Sequence, residues 1–366
     1  MFQKLPYLRG AVAAVAVLLA MGGPFNVCRA QHMQMTPVLG AYFKMVFAGD
    51  VSGATALFAA EPDDNGSKML ADRFQRRFVE RKDSLDLSSI ESPVVREIAG
   101  LFQSYWRDAL MQTAPVDALE EVLAGRLDDI LVGRGYASSR DDVDELSKNV
   151  EALIRAEGYF AQSGRTPPLL DLMIWTKNEV ATETIELTDG VYEVDVNYLD
   201  DFVSYGWSNF AAFGMTSTGG WAKEDGLYCL CRHYDLDSER FKLSFLKHEA
   251  RHFADLALYP ELQASDLEYR GKLTELAFAE EGTYRLLEHF QNSANRVANA
   301  PHPLADWYLI EGLSRHLLGG EVPADANVWK SIPKEQIRLA ARRLLEEHDA
   351  VLAEMGPMMA RGVVNF

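Results

Sequence analysis

The sequence contains one pattern whose residue types and spacing suit hydrolytic chemistry, His-Glu-x-x-His at positions 248 to 252. Successive residues of a helix are rotated by about 100°, so His248 and His252 project from one face about 40° apart. Two imidazoles one turn apart can bind one zinc ion, and Glu249 can act as a general base toward a water at that ion. The pattern therefore predicts a zinc-dependent hydrolytic site.

The residues around this pattern favour a helix. Asp237-Ser238 offers an N-cap, apolar residues follow at helical spacing, and Tyr259-Pro260 ends the segment. The bland alternative is an ordinary amphipathic helix that carries two surface histidines. We expect instead that both histidines lie on one helix that belongs to a metal site.

A third ligand is expected on the next helix. Leucines recur at helical spacing between positions 266 and 279, and Glu268 and Glu275 lie seven residues apart, hence on one face. Either carboxylate could meet the two histidines. An oxygen ligand beside two imidazoles leaves zinc a fourth position for water, which a catalytic site requires.

Residues from about 215 to 290 resemble the gluzincin metallopeptidases, the thermolysin-like superfamily in which H-E-x-x-H on one helix is completed by a glutamate on the next. The segment from Glu268 to Lys272 is similar to their E-x-x-x-D segment, whose first residue binds the metal and whose Asp steadies a zinc-bound histidine. The resemblance implies Zn²⁺ held by His248, His252 and Glu268. Lys272 stands in place of the Asp, so another carboxylate such as Glu275 could orient a histidine. We rank Glu268 above Glu275 as the ligand.

The same resemblance implies two further features. A small sheet should precede the zinc helix, and the segment from Thr216 to Trp221 is a candidate edge that pairs with substrate; an ordinary turn with a packed Trp is the alternative. A cationic or hydrogen-bonding group should also lie near the developing oxyanion. The sequence does not choose among the candidates, which are Tyr284, Arg285, His289, His302 and His316.

The first thirty residues have the layout of a secretory signal peptide. Lys4 and Arg9 precede an apolar run from 11 to 21, and small residues end the segment at Ala30. The run is too short to span a bilayer, so we expect cleavage near Ala30 and a mature protein in a periplasm or outside the cell, without stable membrane insertion. Cys28 as a lipid-attachment site is the alternative.

The balance of charge excludes some partners. The chain has 36 Lys and Arg against 54 Asp and Glu. Removal of the three basic residues of the signal segment leaves 33 against 54, a formal charge of −21. Such a surface repels nucleic acid and anionic lipid, which argues against both as partners. The peptide or protein substrate that we expect is what the gluzincin resemblance implies.

Cys229 and Cys231 are two apart in a predicted strand and therefore share a face. We favour packing in an apolar core, because unpaired cysteine often behaves as a small hydrophobe. The alternatives are a local disulfide and a soft-metal site that includes His233.

The predicted fold class is α+β and predominantly helical. Residues 31–165 should form a helical bundle or array, with its last helix from 143 to 161, and the segment from Gly164 to Pro168 marks the boundary with a catalytic domain at 166–366. That domain should begin with a hairpin around Asp189-Gly190, followed by a second β region from 215 to 233. Amphipathic helices follow the ligand helix at 280–295, 303–318 and 333–355.

The expected function is that of a secreted or periplasmic zinc-dependent peptidase in which Glu249 is the general base. Two alternatives remain open. One is a non-catalytic binding or assembly protein with a structural or vestigial metal site. The other is a zinc hydrolase that acts on a non-peptide amide of the cell wall.

Overall fold

The computed structural model describes residues 15–18, 36–59, 64–216, 218–223, 225–297, 301–357 and 360. Helices account for 58% and strands for 17%, so the predicted α+β, predominantly helical class is confirmed. The predicted signal segment lies outside the described residues, apart from the four-residue strand Val15–Leu18 (β1). None of the described helices combines the length and the apolar character needed to cross a membrane.

The chain forms two compact units. One comprises 18–178 and 199–218, and the other comprises 1–17, 179–198 and 219–366. The boundaries at 178/179 and 198/199 fall inside two long strands. The predicted boundary at 165/166 lies before these strands, in the proline-containing segment. Each unit has its own apolar core.

The first unit is built on helices, as predicted for this part of the chain. They are Pro37–Phe47 (α1), Ala54–Ala59 (α2), Asn65–Phe74 (α3), Pro93–Leu110 (α4), Val116–Gly133 (α5), Val143–Ala156 (α6) and Trp207–Ala211 (α7). Thr36, Asp64, Ser92 and Asp142 cap four of these helices through their side-chain oxygens. The predicted extent of the last bundle helix, 143 to 161, is wrong at its end. The chain turns at Gly158, with φ of 88°, and enters a strand at Phe160.

The sheet contains β1 and five strands further along the chain. These are Phe160–Thr166 (β2), Leu169–Leu187 (β3), Gly190–Tyr205 (β4), Thr218–Lys223 (β5) and Gly226–Leu230 (β6). The strand order is β1-β5-β6-β4-β3-β2, with β2 antiparallel to β3 and β5 antiparallel to β6. β3 and β4 are joined at Thr188-Asp189, which confirms the predicted hairpin. β5 and β6 confirm the second β region as far as Leu230, but its predicted end is wrong, because Cys231–His233 form a 3-10 helix.

The second unit contains the predicted zinc helix and the helices that surround it. Glu239–Phe241 (α8) leads through a π-helical segment, Lys242–Lys247, into His248–Leu258 (α9). Ala264–Phe278 (α10), Thr283–Ser293 (α11), Pro301–Leu317 (α12) and Lys334–Met355 (α13) follow. Leu273, Leu309 and Leu344 bring α10, α12 and α13 into one apolar core. α10 is buried along its whole length from Ser265 to Ala277.

A buried carboxyl group closes the junction between β4 and α7 in the first unit. Asp171 Oδ1 accepts hydrogen bonds from the backbone N–H groups of Trp207, at 2.8 Å, and Leu172, at 2.9 Å. A Cβ at position 206 would lie 2.5 Å from Asp171 Oδ1, so Gly206 permits this approach. Burial raises the pKa of Asp171 to about 6, although both N–H groups act to lower it.

We expect this group to make folding less favourable as pH rises. A carboxyl group whose pKa is higher in the folded state favours folding when protonated, so the free energy of unfolding should decrease between about pH 4 and about pH 6. Asp171→Asn keeps the Oδ1 acceptor and removes the charge, so it should abolish this component, which amounts to at most ~3 kcal/mol. Urea unfolding of both proteins across this range measures the difference.

Asp141→Asn, at an exposed position, is the control for the loss of one negative charge. If Asp171→Asn and the wild type show the same dependence of unfolding free energy on pH, the buried carboxyl group does not contribute as described.

Candidate metal centre

The His-Glu-x-x-His pattern opens α9 in the interior of the second unit. Ser238 Oγ accepts the backbone N–H of Phe241, and the chain then winds through the π-helical segment into α9. His248, Glu249 and His252 are all buried. One ligand atom from each of the three lies within 4.8 Å of those of the other two. The first turn of α9 thus gathers two imidazoles and a carboxylate at one point.

Glu268 of α10 reaches this group through His248. Glu268 Oε2 lies 3.4 Å from His248 Nε2, and both side chains are buried. Two ligand atoms that each bind one zinc ion at about 2.1 Å with tetrahedral angles are separated by about 3.4 Å. The spacing of these two atoms is therefore that of two ligands of a shared ion.

Glu275 contacts the opposite side of the same imidazole. Its Oε1 lies 2.7 Å from His248 Nδ1, and its Oε2 accepts a hydrogen bond from Ser244 Oγ in the π-helical segment. A carboxylate at Nδ1 favours the tautomer with the proton there, which leaves the Nε2 lone pair for a metal. The structure thus places Glu268 at Nε2 of His248 and Glu275 at Nδ1 of the same ring.

His252 is oriented by a backbone group. Its Nε2 donates to the carbonyl oxygen of Leu267, at 3.0 Å, in the residue before Glu268. Its Nδ1 lies 3.5 Å from Glu249 Oε2. Nδ1 is consequently the His252 atom that remains for a ligand.

Five buried polar atoms of this cluster have no hydrogen-bond partner among the residues that the structure describes. They are His248 Nε2, His252 Nδ1, both carboxylate oxygens of Glu249 and Glu268 Oε1. Buried polar atoms are rarely left unsatisfied in proteins, and a concentration of them indicates an ion or a catalytic role. Imidazole nitrogens and carboxylate oxygens are donors that zinc accepts, so these residues fit a zinc ion.

The charges of the cluster are mutually dependent. Burial disfavours the charged form of His248, yet hydrogen bonds and charges from Glu268 and Glu275 outweigh it and raise the pKa of this imidazole to about 10. Burial likewise acts to raise the pKa of Glu268, but the charge of His302 and the contact with His248 hold it well below its ordinary value. Without a metal the cluster binds a proton at His248, which a metal ion must displace.

Lys272 is engaged with α12. Its Nζ lies 2.6 Å from Asp306 Oδ1 and donates to the carbonyl oxygen of His302, at 3.2 Å. The residue that departs from the gluzincin pattern thus serves another helix. The orienting carboxylate stands three residues further along α10, at Glu275.

The five candidates for an oxyanion-stabilising group have different surroundings. His302 Nδ1 lies 2.8 Å from Glu268 Oε2, which makes it the candidate that contacts a predicted ligand in the described part of the chain. The hydroxyl of Tyr284 donates to the carbonyl oxygen of Ile332, and His316 faces Glu347. Arg285 lies beside Glu239, and the ring of His289 lies next to that of Phe290.

Two other predicted features have structural roles. Trp221 is buried on β5, where its ring stacks on Tyr228 with centroids 5.4 Å apart, so the segment from Thr216 contributes a packed Trp. Cys229 and Cys231 are free thiols, and Cys229 lies in an apolar cluster with Leu227 and Phe245. Packing is therefore the role that the structure gives to Cys229.

Comparisons of the chain with protein-family models, with curated proteins and with solved structures found no match. The metal-site hypothesis accordingly depends on the geometry of α9, α10 and α12 in this chain.

Sequence reasoning missed Gly271, which lets α10 approach His248. A Cβ at this position would lie 2.7 Å from His248 Cε1 and 2.8 Å from Nε2. Real Cβ atoms essentially never come that close, and the ring is confined by Glu268 and Glu275. The available signal was the glycine itself, because glycine is unfavourable in the middle of a helix.

We expect Gly271→Ala to weaken zinc binding by about tenfold or more, because the added methyl group displaces the His248 ring from its two carboxylates. Competition with a chelator measures the affinity. Circular dichroism shows whether the variant is still folded. Urea unfolding measures its free energy of unfolding, which should be lower by about 1–3 kcal/mol.

Gly100→Ala is a matched control within a helix, because Gly100 is exposed on α4 and a Cβ there has open space. That change should stabilise the protein slightly and leave zinc affinity as it is. Wild-type zinc affinity in folded Gly271→Ala would contradict the proposed constraint on His248.

Proposed function

We propose that this protein is a zinc-dependent hydrolase that cleaves peptide bonds. The observation that carries the proposal is the convergence of unsatisfied buried nitrogen and oxygen atoms from His248, Glu249 and His252. Glu268 adds a carboxylate oxygen 3.4 Å from His248 Nε2. Another buried histidine of the second unit, His348, is paired with a buried carboxylate, Asp266, at 3.1 Å. A protein interior tolerates such unsatisfied atoms where binding or catalysis uses them.

Three side chains would hold the ion. His248 offers Nε2, His252 offers Nδ1 and Glu268 offers a carboxylate oxygen, which leaves one tetrahedral position for water or substrate. Bound zinc supplies Lewis acidity, which polarises a carbonyl group and makes water more acidic. Glu275 and Ser244 keep the His248 ring in the orientation that this ligand set requires.

Glu249 would move the proton. Both of its carboxylate oxygens are buried and free of hydrogen bonds among the described residues, so either one can accept a proton from the attacking water. The peptide C–N bond then breaks as Glu249 passes that proton to the amine nitrogen, and the water oxygen stays on the new carboxyl group. The overall change consumes one water and yields one acid and one amine.

The signal-like first thirty residues support secretion or a periplasmic location for this activity. The acidic balance of the remaining chain supports a peptide or protein substrate over nucleic acid.

A second candidate function comes from the position of Glu249. Because Glu249 belongs to the group of atoms within 4.8 Å of one another, it could itself be a metal ligand. Four protein ligands would close the coordination shell and leave no place for water. The protein would then be a periplasmic binding or assembly protein with a structural metal site.

Glu249→Gln distinguishes these two functions. For a general base we expect about one zinc per chain, as in the wild type, and a loss of peptide hydrolysis of about 10²- to 10⁴-fold. Elemental analysis of the purified protein and cleavage of a peptide library measure the two quantities.

Glu261→Gln, at an exposed position close in sequence, is the control and should keep both properties. Loss of zinc from Glu249→Gln would favour the structural site. Full hydrolysis by the same variant would rule out Glu249 as the base.

A further inference from the structure

His302 stands against the outer side of the proposed zinc ligand Glu268. Its Nδ1 lies 2.8 Å from Glu268 Oε2, whereas His248 Nε2 lies 3.4 Å from the same oxygen. The shorter distance is that of a hydrogen bond or ion pair, and the longer one is that of two ligands of one tetrahedral ion. The two histidines therefore contact Glu268 in different ways. His302 has the spacing of a partner of the carboxylate and not that of a second ligand.

Contacts at the beginning of α12 hold His302 in this place. Lys272 of α10 donates to the carbonyl oxygen of His302 and pairs with Asp306, one turn further along α12. Asp306 also accepts a hydrogen bond from Ser293, near the end of α11. A buried ammonium group thus ties the first turn of α12 to α10 at two points. Lys272, which makes both contacts, lies on the helix that carries Glu268.

We propose that Lys272, Asp306 and His302 form one unit that positions Glu268 for metal binding. Lys272 and Asp306 fix the first turn of α12, and His302 in turn confines the Glu268 carboxylate from the side opposite His248. His302 is a positioning residue, because it acts through Glu268. This inference rests on the proposed metal site and explains why a lysine is useful at position 272.

The test is the zinc affinity of His302 variants of the full chain, measured by competition with a chelator. Partners of metal ligands typically change affinity by about 10- to 100-fold, and we expect a loss of this size in His302→Ala. His302→Asn places an amide N–H near the position of Nδ1, so it should restore affinity to within about threefold of the wild type. The imidazole of His302 is 24% exposed, so its removal leaves no sealed cavity.

His316→Ala is the matched control, since His316 lies on the same helix and faces Glu347. It should bind zinc as the wild type does. Wild-type affinity in His302→Ala would overturn the proposal. The visible spectrum of the Co²⁺-loaded protein supplies a second readout. Loss of one nitrogen ligand in His302→Ala and also in His302→Asn would show that His302 is a ligand, which likewise overturns a positioning role.

The contribution of Lys272 is tested by the paired change Lys272→Met with Asp306→Asn, which removes both charges together. Because the three residues act in series, this variant should lose about as much zinc affinity as His302→Ala. Addition of His302→Ala to the pair should cause no further loss. Wild-type affinity in the folded pair, or fully additive losses, would contradict the unit. Absence of zinc and cobalt binding by the wild type would overturn the metal site itself and this inference with it.

Discussion

Helix α10 imposes the main physical constraint on the second unit, because it is buried along its length and yet carries five acidic or basic side chains. A buried charge without a partner costs several kcal/mol, so each of the five needs an ion-pair or hydrogen-bond partner inside the protein. The neighbouring helices supply these partners. The pairs are Asp266 with His348, Glu268 with His302, Arg270 with Asp255, Lys272 with Asp306 and Glu275 with His248. These pairs fix α9, α12 and α13 around α10.

The candidate metal centre is the part of this arrangement in which charge pairing is incomplete. Elsewhere along α10 the carboxylates and cations meet at hydrogen-bonding distances, as Arg270 does with Asp255 at 2.7 Å. At the first turn of α9, both carboxylate oxygens of Glu249 instead have no hydrogen-bond partner among the described residues, and neither has Oε1 of Glu268 on α10. The same network that stabilises the fold thus holds ligand atoms near one another without neutralising them. This combination is what a binding site for a cation requires.

The position of Lys272 illustrates how a departure from a known pattern can be accommodated. The resemblance proposed from the sequence predicts an aspartate at this point, which would steady a zinc-bound histidine. Here Glu275, three residues further along the helix, contacts His248, and Lys272 is released to bind α12. Positions 272 and 275 both lie in the last two turns of α10, so a side chain at either position can face a neighbouring helix. The contacts of a side chain therefore depend more on the direction in which it projects from the helix than on its position in a sequence motif.

The sequence by itself determined the local features of this protein. Short stretches of sequence carry these features. Cap residues predicted helices, the turn at Asp189-Gly190 predicted the hairpin, and the four-residue spacing of His248 and His252 predicted the first half of the site. The overextended end of α6 marks the usual weakness at element boundaries. Only the tertiary structure decided which nitrogen of the His248 ring Glu268 and Glu275 each contact. It also decided that Gly271 makes room for that ring and that His302 contacts Glu268. The physical reason is that α10 is buried on all sides, so its sequence shows no apolar face from which to infer direction. Its partners also come from helices distant in sequence, and such contacts leave no periodic signal in the chain.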